Sequence, residues 1–218
     1  MHALEPTPVG EKRPARQEPK QQRSIRTRVQ ILEAAAVVFA RSGFADVTLL
    51  DIAEQAGVTK GAVYFHYANK EAIAIAVSEE YFARLGALSV GVRRLKVPPL
   101  QATVKLLNRV AVVLRDDTLF QAAVRLHLDR HQITSGLPTR PFVDFMTHCQ
   151  ELLVEAKEVG QLPEDADPEK LARVLVAAFF GAQHISWALN DRADLIDRVQ
   201  ETIDAILPRH WYEPADNT

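Results

Sequence analysis

Apolar residues recur at three- and four-residue intervals along most of the chain, and no stretch alternates with period two over a useful length. That pattern predicts helices and no sheet. Ile25, Val29, Ile31, Leu32, Ala35, Ala36, Val38 and Phe39 trace the first helix, with Ser24 as a candidate cap and Gly43 as its stop. Thr48 caps a short second helix, LLDIAEQA, with Asp51 at the third position in capping-box style and Gly57 at the end. Thr59 opens a third helix. Asn69 opens a fourth through Ile73, Ile75, Ala76, Val77, Tyr81 and Leu85, expected to fade near Gly86 and Gly91. Beyond Pro98-Pro99, further helices are predicted over PLQATVKLLNRVAVVLRDD, Thr118–Arg130, Phe142–Val159, Glu169–Leu189 and Asp194–Leu207, with Pro168 placed for a helix start. Residues 132–141 and LPEDADP read as loops. The fold class is all-α, about nine helices, with no internal repeat.

The chain has 218 residues, 47% of them hydrophobic, enough for a sizeable core. The net charge of −2 decides little, but its distribution does: residues 1–70 carry a net +3 and residues 71–218 a net −5. Seven basic residues crowd residues 11–28 against two acidic ones, so the front of the chain is the end suited to a polyanion. Cys149 is the sole cysteine, which excludes an intramolecular disulfide and fits a reducing compartment. The N-terminus has no apolar signal-like core, and the longest apolar run, Val174–Ala182, is too short to span a bilayer; a cytoplasmic protein is expected.

Residues 48–67 follow the grammar of a helix-turn-helix. Leu49, Ile52 and Ala53 face inward, Gly57 supplies a left-handed turn residue, Val58 fills the angle, and Ala62, Val63 and Phe65 serve packing or close approach. The other face of the second helix presents Thr59, Lys60, Gly61, Tyr64, His66 and Tyr67, followed by Lys70, with no acid before Glu71. Donors without acids suit a helix that meets phosphate in a major groove. The residues alone equally allow an ordinary helical hairpin with a half-buried aromatic rim.

The whole stretch TLLDIAEQAGVTKGAVYFHYANKEAI, with the preceding ILEAAAVVFARSGF, resembles the DNA-binding signature of TetR-family transcriptional regulators without gaps from about Arg26 to Ala76. The resemblance implies a three-helix DNA-binding domain ahead of a ligand-binding, dimerising body. It implies that Thr48 caps its helix and contacts backbone, that Lys60, Gly61 and Val63 face bases, and that Tyr64, His66 and Lys70 hold phosphates. The expected organisation is a flexible basic arm at 1–22, a DNA-binding domain at 23–68, a ligand-binding and dimerisation domain at 69–208, and a loose tail at 209–218. The arm is read either as a phosphate or minor-groove contact or as a solvated tail.

GAVYFHYANKEAIAIAVSEEYFARL, LPTRPFVDF and AAFFGAQHISWAL further resemble the γ-butyrolactone autoregulator receptors of actinomycetes, a group that includes receptors for furan and butenolide signals. That likeness implies a repressor that leaves DNA when its signal binds. Phe145 stands where many of the group carry a pocket tryptophan. Candidate pocket residues are Tyr81, Leu107, Val110, His127, Phe142, Phe145, Phe179, Gln183 and Trp187, an apolar set with a few polar groups. Gln183 needs a partner, either a ligand carbonyl or a dimer-interface group. Phe142 and Phe145 are three apart on one face and also suit a plain core. His184 and Trp187 are candidates for a partner-facing surface, and the last two helices carry enough apolar surface to form a two-fold interface or to cover their own core.

His127 and His131 have helical metal-ligand spacing, but HLDRH lacks HExxH and no further His/Cys cluster is near. His148 and Cys149, as helix neighbours, point apart. No metal, cofactor or enzymatic activity is expected. The reading is a homodimeric repressor of a pseudo-palindromic operator, responsive to a small signal. The rivals are a TetR-fold regulator with no small-molecule response and a helical metal-dependent enzyme.

Overall fold

A computed structural model describes residues 20–212. Among these there are nine α-helices, two 3₁₀ turns and no strand. The helices are α1 (Lys20–Ser42), α2 (Leu49–Ala56), α3 (Lys60–His66), α4 (Lys70–Arg93), α5 (Pro99–Asp116), α6 (Thr118–Leu128), α7 (Arg140–Glu158), α8 (Pro168–Asn190) and α9 (Leu195–Ile206).

The punctuation read from sequence is made of hydrogen bonds. Thr48 Oγ1 accepts the Asp51 N–H at 3.2 Å while Asp51 Oδ2 accepts the Thr48 N–H at 2.7 Å, the reciprocal capping box. Thr59 Oγ1 accepts from Ala62 N at 3.1 Å and Asn69 Oδ1 from Ala72 N at 2.8 Å. Gly57 ends α2 with φ +63 and φ is +76 at Gly43, both in the left-handed region where a Cβ is disfavoured. At Gly43 space is short as well: a Cβ would lie 2.6 Å from Asp129 Oδ2 and 3.1 Å from Arg125 Nε. The turn after α1 is thereby pressed onto the end of α6, and Phe44 N donates to Asp129 Oδ2 at 2.9 Å.

Four expectations change. α1 starts at Lys20 rather than at a Ser24 cap, since KQQR continues the helix. The rest of the arm, residues 1–19, lies outside the described residues. α4 runs through Gly86 and Gly91 to Arg93, because Leu85, Ser89 and Val92 keep a buried stripe going past both glycines. α7 begins at Arg140, inside the predicted loop. The tail is not loose at its start: Arg209–Trp211 forms a 3₁₀ turn and Tyr212 is buried, its hydroxyl donating to Asp204 and its carbonyl accepting from Gln101 Nε2 at 2.8 Å. Residues 213–218 lie outside the described set.

α1 packs on α6, α2 and α4, so the head formed by α1–α3 and the body formed by α4–α9 share a core that includes Ile31, Phe39, Ile73, Tyr81 and Phe120, all fully buried or nearly so. Each such side chain contributes roughly 1.5–3 kcal/mol. α8 is long and apolar enough to match a membrane span by length and composition. One of its faces packs on α7 and α9. The other exposes Val174, Ala177, Gly181, Ile185, Ala188 and Leu189, a stripe at helical spacing.

Candidate nucleic-acid and ligand sites

α3 sorts its residues by side. Val63 is completely buried and Tyr67 nearly so, beneath the Arg28 guanidinium 5.7 Å from its ring. Lys60, Gly61, Tyr64 and Phe65 form the exposed side, with Tyr64 51% and Phe65 79% accessible. His66 is half-buried, and its ring meets the Phe65 ring edge-on at 5.1 Å. Thr48 and Thr59 are exposed at the two helix starts, each engaged as a cap.

Four expectations are corrected here. Val63 cannot face bases, because it is the residue that seats α3 on the head's core; no route from a fully enclosed side chain reaches a groove. Tyr67 likewise packs inward. Phe65, expected to pack, points out instead, since positions 61, 64 and 65 share the side opposite 63 and 67. Lys70, expected on phosphate, already donates from Nζ to the carbonyls of Phe44 at 2.6 Å and Ala45 at 3.3 Å, and its ammonium stands 4.2 Å from the Phe44 ring centre. Burial lowers its pKa.

In the body, α4, α6, α7 and α8 bring eight rings together. Tyr81 meets Phe82 and Phe120; Phe82 meets His127 and Phe142; Phe142 meets Phe180; and Phe145, Phe179 and Phe180 close the group, with centroids 4.7–6.3 Å apart. Two buried polar atoms on these helices have no partner: Tyr81 Oη, on α4 within the ring group, and Gln183 Nε2, on α8. Both residues are enclosed, and burial pushes the Tyr81 phenol above its ordinary range. His127 is held differently: Ser78 Oγ lies 3.0 Å from its Nε2. Burial first, then the Arg130 charge, lowers the imidazole to about 4, so it is neutral at pH 7. A recess of about 110 Å³ opens beside the rings between α4 and α7, lined in part by Phe82, Phe145 and His148.

The remaining candidates fall in two places. Leu107 and Val110 are wholly buried on α5. Trp187 stands apart from the ring group: its neighbours are His184 and two guanidiniums, Arg125 at 4.9 Å and Arg192 at 5.4 Å. His131 is exposed, and no group of three potential metal ligands occurs among the described residues. Cys149 is buried, its thiol raised to about 12 and so unreactive.

Sequence reasoning missed Ser78, Phe82, Phe120 and Phe180. Ser78 and Phe82 lie four apart on α4, the spacing of one helix face, so that pairing was available. It also missed Glu71, whose carboxylate receives the N–H and hydroxyl of Thr134 at 3.0 and 2.7 Å, the Ser135 N–H at 3.0 Å and the Ser135 hydroxyl. Those bonds join residues more than sixty positions apart, and no local pattern announces them.

Residues 31–77 match the family model described as bacterial regulatory proteins, tetR family. The A-factor receptor protein of Streptomyces griseus is 35% identical over 189 residues, 87% of this chain; the chain spans 65% of that relative's length. A solved structure reported as the molecular basis for control of antibiotic production by a bacterial hormone is 45% identical, with a TM-score of 0.78 over 84% of this chain and 96% of that one. A γ-butyrolactone receptor structure described as ArpA-like is 26% identical, with a TM-score of 0.66 over 84% of this chain and 98% of that one. A matched N-terminal segment and a likeness in sequence and fold over more than four fifths of the chain carry one conclusion: this chain belongs to the TetR family of bacterial regulatory proteins.

Proposed function

We propose that the protein is a cytoplasmic, homodimeric repressor that holds a pseudo-palindromic operator and lets go when a small γ-butyrolactone, butenolide or furan-type signal enters the ring-lined body. The observation that carries the signal response is two buried polar atoms without a partner, Tyr81 Oη within the ring group and Gln183 Nε2 on α8, the helix that also carries Phe179 and Phe180. A buried donor without an acceptor destabilises a core by about 1–3 kcal/mol, and a ligand oxygen that accepts from either would remove that penalty. Tyr81, Leu107, Val110, His127, Phe142, Phe145, Phe179 and Gln183 are the proposed pocket; Trp187 is the least supported, because its ring serves two arginines.

On the DNA side, Thr48, Thr59, Lys60, Gly61, Tyr64 and His66 are the proposed contacts from 23–68, with the body at 69–208 holding two heads at the spacing of one turn, about 34–36 Å. Lys70 is proposed to act by fixing the turn after α1. The exposed stripe of α8, with α9 beside it, supports a two-fold interface.

α4 is the natural link. Lys70 and Glu71 at its start tie the head and the 133–136 segment, and Tyr81 sits roughly 16 Å further along the axis. A signal that shifts α4 moves both heads out of register. Turning a 99:1 equilibrium over requires a preference of about 10⁴-fold, or 5.5 kcal/mol. The test is a gel shift on the DNA flanking its own gene, with and without candidate furans and butyrolactones. Release by one of them supports the proposal. Operator binding that no such compound alters refutes the signal response and favours a regulator without one.

A further inference from the structure

The most exposed large apolar side chain on the reading helix is Phe65. It is 79% accessible, more than Tyr64 beside it, and its ring stands near-perpendicular to that of His66, centroids 5.1 Å apart. A lone exposed ring is common on protein surfaces and acquires a reason only from what surrounds it. Its surroundings supply one. Gly61 lies one turn earlier on the same stripe, is exposed, and has no side chain to stand between the helix backbone and an approaching surface. Lys60 and Tyr64 flank that stripe, the ammonium 5.9 Å from the Tyr64 ring. The four residues make a ridge with donors along one edge and a bare backbone and a phenyl ring along the other.

We infer that Phe65 reads the C5-methyl group of a thymine in the major groove, making it a specificity-determining residue of the protein–DNA contact. This rests on the DNA-binding reading of α3. A phenyl ring offers no hydrogen bond to a phosphate or to a base edge. The apolar feature that a B-form major groove presents is the thymine methyl, and apolar side chains recognise it by contact. Gly61 permits the close approach this contact needs, and the edge-on His66 ring limits the directions in which Phe65 can swing.

The test uses the full-length protein and a duplex selected on it from a random pool. Each thymine of that duplex is replaced in turn by deoxyuridine, which deletes the methyl and leaves every hydrogen-bonding group in place. The expected result is one thymine per half-site whose replacement weakens wild-type binding about 4-fold, the worth of one buried methylene-sized group, and about 16-fold when both half-sites are changed. Phe65→Ala should bind more weakly and show no penalty at that thymine, while Phe65→Leu, still apolar, should keep part of it. The Phe65 side chain lies outside the core, so both variants should melt at the wild-type temperature. Equal penalties in wild type and Phe65→Ala overturn the inference, as does a wild type indifferent to every deoxyuridine, the result for a ring that wedges between bases. A wild type that selects no duplex refutes the DNA-binding reading itself, an outcome recognisably different from either.

Discussion

The reading head and the body depart from ordinary packing in opposite directions. In the head, the helix starts are capped, the turn carbonyls are met by Lys70, and the anomalies lie outside: a ring in water and a helix edge of donors without acids. In the body the anomalies of the ring-bearing helices lie inside, as a phenol and an amide nitrogen with nothing to bind and an imidazole denied its proton. A surface that waits for a partner shows apolar groups it has not hidden. An interior that waits for one shows polar groups it has not satisfied. The two sites are therefore recognised by opposite signs of the same imbalance.

The largest expected effect probes the interior. His127 titrates near 4 in the folded protein and near 6.5 when unfolded. Between those values the unfolded chain binds more protons, so the stability this arrangement contributes is complete above about pH 6.5 and falls as the pH drops toward 4. The loss should be on the order of 2–3 kcal/mol, and His127→Gln, which has no proton to gain, should lose correspondingly less. Urea unfolding at pH 7, 5.5 and 4.5 measures it; parallel losses in both proteins would place the acid sensitivity elsewhere.

Next comes Tyr81→Phe, which deletes the hydroxyl that has no partner. The free protein should become more stable by about 1–2 kcal/mol, because a buried donor is no longer stranded. The same substitution should blunt release from the operator. A variant that is less stable, or that releases at the same signal concentration, would mean the hydroxyl is satisfied in solution and the interior is ordinary core.

The two regions also differ in how far their sequence discloses them. The head's grammar is local: Thr48 with Asp51, Gly57, Thr59 and Asn69 each act within four residues, so caps and turns were legible from spacing alone. What failed there was the facing of α3. Val63, Phe65 and Tyr67 are all apolar enough to be core, and a seven-residue helix is too short for period to separate 63 and 67 from 65. In the body, the helices were legible but the pocket was only partly so. Phe142 meets Phe82 on α4 directly and Phe145 joins that group through Phe180 on α8, and Tyr81 and Gln183 stand out only once their lack of partners is known. That property belongs to the tertiary structure, as does the Gly43 contact with Asp129.

On the exterior, Lys60→Ala should weaken operator binding about 10-fold, within the range for a single lost base or phosphate contact. Tyr64→Phe, which loses only a hydroxyl, should do less. Neither side chain supports the core, so unfolding should stay within about 0.5 kcal/mol of wild type. Fluorescence anisotropy on labelled operator together with thermal melts separates the two effects. Wild-type affinity in both variants would remove this edge of α3 from the DNA contact.

The smallest effect tests the seam where the regions meet. Glu71 is held at about 2 by the Ser135 hydroxyl, then by the hydroxyl and N–H of Thr134. Its ordinary value is 4.5, so what the clamp contributes is present above pH 4.5 and is lost as the pH falls toward 2. Glu71→Gln keeps one acceptor oxygen and removes the charge, and should flatten stability over that window. At neutral pH operator affinity should remain within about 2-fold of wild type, since no groove-facing group has changed. The response to signal should shrink, because the 133–136 segment would no longer move rigidly with the first turn of α4, and a displaced Tyr81 would drag the head less. The ratio of operator affinity without and with signal is the quantity to compare. If that ratio is unchanged while the acid limb flattens, the clamp only stabilises, and the connection between interior and exterior runs instead through Phe44 and Asp129 at the end of α6.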